Sequence, residues 1–456
     1  MHKLYAEKIL IGSDWQSDIT LSIASNGKIL SIDTGRDVNA VCLNGTVLPG
    51  MVNCHSHTFQ RAFAGFSEYR SNSRDSFWSW RDIMYRFVGK MTPDDLHTIA
   101  KFVYIEMLKA GYTSVGEFHY LHHQPDGTPY DNASEMSEQV IEAASSAGIA
   151  ITHLPVLYSY SGFGEKAPTK AQGRFIHSTQ TYLRIVERLS KQYSHFSNFS
   201  LGIAPHSLRA VSKNQLRQII PAIRSIDVNS PIHIHIAEQS QEVEDCIDFY
   251  NDRPVDWLLD NFEVDNNWCL VHATHITDSE VTKIANSGAV VGLCPLTEAN
   301  LGDGIFPTAE YLKQGGKFAI GSDSHIGINV AEELRLLEYA QRLVLKERAV
   351  LVNDDCSSVG QFLYSNACKH GAATINQEVG VIGVGKRADL VVLDNDEASL
   401  FCKEGSFVLD AAIFACDKLP VKDVFVAGRL IIESGHHQQD QEIKNEYHKV
   451  LKRLTA

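Results

Sequence analysis

Two patterns of hydrophobic and polar positions divide the chain. Up to about residue 48, short apolar segments such as 8–11, 19–23 and 29–32 are separated by turn-forming residues, as in short strands joined by turns. The same pattern returns from about Gly380, where 388–393 is apolar and 421–432 contains a Gly428-Arg429 turn. Between these ends, apolar runs at 47–53, 113–118, 151–157, 201–204, 232–236, 269–272, 290–293 and 318–321 alternate with helical segments. Those segments include 94–109, 135–147, 180–191, 214–226, 242–251, 279–287 and 332–345. In 94–109, Leu96, Ile99, Ala100, Val103 and Met107 recur at helical spacing and share one face. Repeated strand–helix alternation predicts an α/β fold, a (β/α)8 TIM-like barrel, with a small β-sandwich domain built from both chain ends. A doubly wound sheet has the same alternation, because periodicity does not show closure. The expected divisions are 1–48 with 380–433, a barrel over 49–379, and a C-terminal helical tail over 434–456. The aromatic and arginine-rich stretch 68–86, with Arg70, Arg74, Arg81 and Arg86, reads as a long loop after the first strand.

Chemistry-bearing residues fall at the C-terminal ends of the runs, where a barrel places its site. These ends read His55-Ser56-His57, Glu117-Phe118-His119-Tyr120, Pro205-His206-Ser207-Leu208-Arg209, His233 to Glu238, His272, Thr297-Glu298 and Asp323-Ser324-His325. Residues two apart in a strand share a face, so His55 and His57 can reach one ion at ~2.0–2.1 Å. His233 and His235 repeat the spacing, and Asp323 adds a carboxylate at the last strand. Histidines with one Asp and an open position for water make a catalytic metal site. Glu238, three residues past His235, can sit beside that water as a proton shuttle. His272 ends the sixth strand, and His275 is expected to lie outside the site.

Charge and cysteine content narrow the partners. A formal charge of −14, from 41 basic and 55 acidic residues, disfavours nucleic acid and anionic membranes. A small anionic substrate held by a few arginines remains compatible with it. The first ten residues have no long apolar core or cleavage signature, and no apolar run reaches the ~18 residues that span a bilayer. The nine cysteines are dispersed without Cys-x-x-Cys, which favours free thiols and a cytoplasmic location.

The His-x-His after the first strand, with His on strands five and six and Asp on strand eight, resembles the amidohydrolase superfamily. The likeness covers nearly the whole chain, and strand five with its trailing glutamate looks like the deaminase branch. It implies one divalent metal ion, zinc by family expectation, held by His55, His57, His235 and Asp323. No lysine stands at the third or fourth strand end to bridge a second ion. The runs 55–65, 233–239, 294–304 and 321–325 resemble the deiminases of that branch that hydrolyse N-formimidoyl-L-glutamate in histidine breakdown. The implied protein is a homodimer, without nucleic acid or membrane partner, cutting a linear amidine C–N bond.

On that expectation His272 and Asp323 orient the water and take a proton, and Glu238 relays a proton to the imine nitrogen. A diacid tail calls for arginine, whose planar fork engages carboxylates bidentately; Arg209 is the first candidate and Arg81 the second. The resemblance adds Gln60, Tyr120 and His206 to the substrate shell. Rival readings are a purine or pterin deaminase, an enzyme for the aspartate homologue, and an inactive barrel scaffold.

Overall fold

The computed structural model describes residues 2–68 and 77–456. Four strands open the chain: β1 (His2–Ile11), β2 (Asp14–Ile23), β3 (Ile29–Thr34) and β4 (Val41–Pro49). Shorter strands follow: β5 (Met51–Ser56), β6 (Tyr112–His119), β7 (Ala150–Leu157), β8 (Phe199–Leu201), β9 (Ala204–Pro205), β10 (Ile232–Ile236), β11 (Trp268–His272), β12 (Val290–Leu293) and β13 (Lys317–Ile320). The last are β14 (Leu390–Leu393), β15 (Val421–Val426), β16 (Arg429–Glu433) and β17 (His436–His437).

Both chain ends enter one eight-stranded sheet, ordered β17-β16-β15-β14-β4-β1-β2-β3. Its seam is the antiparallel pair β4 and β14, with Val47 opposite Val392 and Pro49 opposite Leu390. Leu4, Ile9, Leu21, Val47, Leu390 and Val392 bury together in its own apolar core. Pairing runs along one continuous path through all eight strands.

The middle strands pair in parallel, as β5-β6-β7-β8 with β9 also on β7, and as β10-β11-β12-β13. Single parallel bridges join these sheets at both edges: Ile203 to Ile232 and Ser207 to His235 on one side, Ser56 to Asp323 on the other. Helices separate the strands, among them Pro93–Lys109, Glu135–Ala147, Thr179–Tyr193, Lys213–Ile226, Asp278–Ser287 and Val330–Leu345. Capping boxes start three of them, Thr92 with Asp95, Ser212 with Gln215 and Thr277 with Glu280. Each side-chain cap satisfies an otherwise open N–H and is worth about 1 kcal/mol.

Three expectations need correction. The apolar run 47–53 is split at Gly50 between β4 and β5. The run 201–204 is broken at Gly202, where a Cβ would collide with the carbonyl of Pro231. Residues Phe77–Val88 form a helix and not a loop, so Arg81 and Arg86 are helical; Arg70 and Arg74 lie outside the described residues. Met84, Phe87 and Val88 bury one face of that helix at i, i+3, i+4 spacing. Among the described residues no helix is long and apolar enough to cross a membrane, and the nine cysteines are free.

Candidate active site

β5 ends at Ser56, and His57 caps the short 3-10 turn Thr58–Phe63 with φ −128 and ψ 79. That break in extended geometry lets two imidazoles meet. His55 Nε2 lies 3.0 Å from His57 Nε2 and 3.0 Å from His235 Nε2. Asp323 Oδ1 is 3.3 Å from His57 Nε2 and 3.7 Å from His55 Nε2. His57 Nδ1 donates to the Phe118 carbonyl at 2.7 Å, and His235 Nδ1 donates to the His206 carbonyl at 3.1 Å. Both rings therefore turn Nε2 lone pairs toward His55, and one N–H on His55 could serve only one of them well. Burial also drives protons off, pushing His57 down to about 3 and His55 and His235 well below the usual histidine range. Converging lone pairs beside a carboxylate fit a bound cation, and imidazole with carboxylate donors suits a divalent ion.

Gly321 permits the close approach of β13 to β5. A Cβ there would lie 2.7 Å from the His55 carbonyl oxygen and 2.9 Å from its Cβ. Beyond the strand ends, Ala237 (φ 49), His272 (φ 67), Ala273 (φ 48), Asp323 (φ 45) and His325 (φ 58) adopt left-handed backbone. Each such non-glycine residue costs on the order of 1–3 kcal/mol, a strain characteristic of functional sites.

On the far side of Asp323, His272 Nε2 lies 3.7 Å from Oδ2, and His272 Nδ1 lies 3.1 Å from Glu298 Oε1. Burial opposes a proton on His272, but the Glu298 bond and the carboxylates of Glu238 and Asp323 outweigh it and raise His272 to about 10. Burial lifts Asp323 to about 7 despite His272, with Glu238 and Glu298 adding to the rise. The backbone N–H of Glu238 donates to Glu242 Oε2 at 3.1 Å, and Gln239 Nε2 donates to Asp303. Burial raises Glu242 to about 7 against the pull of Arg209, and burial with the Glu238 charge raises Asp303 to about 8. This wall of the site is rich in carboxylates and favours a cationic reacting group.

A cavity open at its mouth joins His57, His235, Glu238, His272 and Asp323 to Tyr85, Tyr120, Tyr158 and Phe175, and to Arg81 and Arg209. Gln60 Nε2 donates to the Tyr120 hydroxyl at 2.7 Å, and Arg209 Nη1 approaches the Tyr158 hydroxyl at 3.5 Å. The His206 ring lies 4.5 Å from that of Tyr158 and 5.6 Å from that of Tyr120. Arg81 carries its guanidinium 5.8 Å from the Tyr85 ring.

Gln60, Arg81, Tyr120, His206 and Arg209 thus line the same cavity as His57, His235, Glu238, His272 and Asp323, and His55 lies directly behind His57 and His235. His233 does not join them, because its Nε2 pairs with the Thr374 carbonyl at 2.7 Å. Residues two apart in a strand share a face but are separated by about 6.6 Å along it, so His235 reaches the mouth and His233 lies a layer deeper. His119 packs among His122 and His153, with ring centroids 5.2 and 5.3 Å away. His275 does not line the cavity. Sequence reasoning missed Tyr158, the first residue past β7, whose position at a strand end was the available signal. It also left Glu298 without a role, although it holds His272.

The amidohydrolase family model matches residues 46–431. The chain belongs to that family, and it is a metal-dependent hydrolase acting on C–N bonds. It is 46% identical to the formimidoylglutamate deiminase of Pseudomonas aeruginosa over 456 residues, covering 100% of both chains. The crystal structure of an amidohydrolase from Brucella melitensis superposes with a TM-score of 0.94 at 43% identity, covering 100% of both chains. A zinc-bound adenosine deaminase from Xanthomonas campestris shares the fold, with a TM-score of 0.83 at 20% identity over 99% of this chain and 98% of that one.

Proposed function

We propose that the chain hydrolyses N-formimidoyl-L-glutamate to N-formyl-L-glutamate and ammonia. One observation carries the reading: a single cavity combines a buried His-Asp donor cluster and Glu238 with two arginines, Arg81 and Arg209. Full-length identity of 46% to a formimidoylglutamate deiminase supports the same substrate.

His55, His57, His235 and Asp323 would hold one divalent ion, and the donor set suits zinc. When bound, such an ion supplies Lewis acidity that makes water nucleophilic near neutral pH. Asp323, with His272 beside it, takes a proton from the attacking water as its oxygen bonds to the formimidoyl carbon. Glu238 delivers a proton to the imine nitrogen. Glu238 then carries the remaining hydroxyl proton of the adduct to that nitrogen, the C–N bond breaks as the carbonyl forms, ammonia leaves, and the N-formyl product remains. The amidine is itself basic, so the carboxylates of Glu238 and its neighbours favour its charged form. At the other end, Arg209 and Arg81 take the two carboxylates, with Gln60, Tyr120 and His206 packing around the chain between.

The two bridged parallel sheets support a closed (β/α)8 barrel over 49–379, which would bring these strand ends to one mouth. The terminal sheet around its own core supports a small sandwich from 1–48 and 380–433, with 434–456 as a helical tail. The resemblance supports a homodimer, the dispersed free thiols a cytoplasmic location, and the net charge of −14 a small-molecule substrate without nucleic acid or membrane partner.

The test is ammonia release from N-formimidoyl-L-glutamate, abolished by chelation and restored by zinc, with N-formimidoyl-L-aspartate, guanine and adenosine as alternatives. Ammonia from a base and none from the formimidoyl diacid would overturn the assignment. Within the same assay, Glu238→Gln is expected to lower kcat by about 10²–10⁴-fold with metal content unchanged; turnover near that of the parent would remove Glu238 from the proton path.

A further inference from the structure

Behind the metal-facing imidazoles runs a second polar chain, buried throughout. Asn53 Nδ2 donates to Ser322 Oγ at 2.6 Å, and the Ser322 N–H returns a bond to Asn53 Oδ1 at 3.1 Å. Ser322 Oγ is 3.0 Å from His325 Nδ1, and His325 Nε2 is 3.1 Å from Ser56 Oγ. Ser56 Oγ donates to Glu117 Oε2 at 2.5 Å. The other Glu117 oxygen accepts from the Thr58 N–H and from Thr58 Oγ1, both at 2.9 Å.

Donor bookkeeping gives this chain one direction. The Asn53 amide cannot turn over, because its oxygen accepts the backbone N–H of both Ser322 and His55. Its NH2 therefore faces Ser322 Oγ, whose own proton must go to His325 Nδ1. His325 then carries its proton on Nε2 and donates to Ser56, and Ser56 donates to the Glu117 carboxylate. A reversed chain would have Ser322 Oγ accept from both Asn53 and His325 and leave its own proton without an acceptor.

The links flank the metal-facing residues along the sequence. Ser56 stands between His55 and His57, Thr58 follows His57, Ser322 precedes Asp323, and His325 lies two residues beyond it. Neither Glu117 nor His325 lines the described cavity. We infer that Glu117 and His325 are positioning residues of the metal centre, clamping 55–58 to 322–325 so that His55, His57 and Asp323 stay at bonding distance from one ion. This inference rests on the metal-hydrolase reading above.

The experiment uses the full chain with zinc as probe, and the variants Glu117→Gln and Ser56→Ala. A carboxamide that keeps its oxygen on Thr58 turns its NH2 to Ser56, which reverses the chain and moves the His325 proton to Nδ1. Ser56→Ala cuts the chain while leaving both Thr58 bonds, and it decides the question if Glu117→Gln does not fold. Nitrogen-15 shifts of labelled histidine report the tautomer: Nε2–H is expected for His325 in the parent, Nδ1–H in Glu117→Gln, and a mixture in Ser56→Ala. Zinc affinity, by chelator competition, is expected to fall about ten- to a hundredfold in both variants. With zinc saturating, kcat should fall while KM stays within about twofold. A parent with His325 protonated on Nδ1, or variants that hold zinc as tightly as a zinc-binding parent, would overturn this inference alone. A parent that neither holds zinc nor releases ammonia would overturn the functional reading and this inference with it.

Discussion

Arg209 sits half-buried in the cavity wall, where the charges of Glu242 and Glu238 and the Tyr158 hydroxyl more than offset the burial that opposes its charge. It is therefore a fixed cation in the lining of the cavity, and the proposed function gives it the diacid tail. A charged hydrogen-bond pair is worth about 1.5–3 kcal/mol, so Arg209→Met should raise KM by roughly ten- to a hundredfold. Zinc content should not change, because Arg209 is not among the proposed ligands His55, His57, His235 and Asp323. Steady-state kinetics with metal analysis check both, and an unchanged KM would exclude Arg209 as the carboxylate clamp. At this scale the site was readable wherever chemistry forced an unusual residue type onto a strand end, as with His55, His57, His235, Glu238 and Asp323. It was unreadable where the role is a relation through space. Glu298 and His272 meet across 26 residues of sequence, and Tyr158 at a strand end looks like ordinary packing.

The helix Ser240–Tyr250 begins two residues after Glu238 and buries Glu242 in its first turn. A carboxyl raised in the folded state binds its proton more tightly there than in the unfolded chain. Its contribution is then most favourable below the unfolded value of 4.5 and is lost as pH rises toward 7. The loss amounts to about 3 kcal/mol at most. Glu242→Gln keeps an acceptor for the Glu238 N–H and cannot ionise. It should flatten the urea midpoint between pH 5 and 8 and leave the variant more stable than the parent at pH 8. A parallel fall in both proteins would assign the pH dependence to other groups. Element reading followed hydrophobic period closely where a strand or helix is continuous, as in β10, β12 and Glu135–Ala147. It failed at Gly50 and Gly202, because apolar runs continue across points where the backbone must change sheet or bend. It also failed at Phe77–Val88, where aromatic and charged side chains hid the i, i+3, i+4 face.

Across the whole molecule, the C-terminal helix Asp440–Thr455 reaches back to the loops that follow His57 and Asp323. An amphipathic pattern names a face of this helix but not its partner, so its docking could not be read from sequence. Tyr447 stacks on Phe102 of the helix Pro93–Lys109 at 4.1 Å and 9°, and Arg453 pairs with Asp95. The Tyr447 hydroxyl donates to the Arg61 carbonyl at 3.1 Å, and Arg61 Nη1 donates to the His325 carbonyl at 2.5 Å. One tyrosine thus serves packing through its ring and loop geometry through its hydroxyl, and two substitutions separate these roles. Tyr447→Ala removes a buried aromatic ring and should cost about 3–5 kcal/mol, read as a lowered urea midpoint. Tyr447→Phe keeps the ring and gives up one hydrogen bond, about 1 kcal/mol, so its midpoint should stay near that of the parent. Because the lost bond ends on the loop that Arg61 ties to His325, Tyr447→Phe should still release zinc faster to a chelator than the parent does. Equal zinc release would confine the tail to packing, whereas equal midpoints for the two variants would show that the ring contributes little and that the hydroxyl alone joins the end of the chain to its active site.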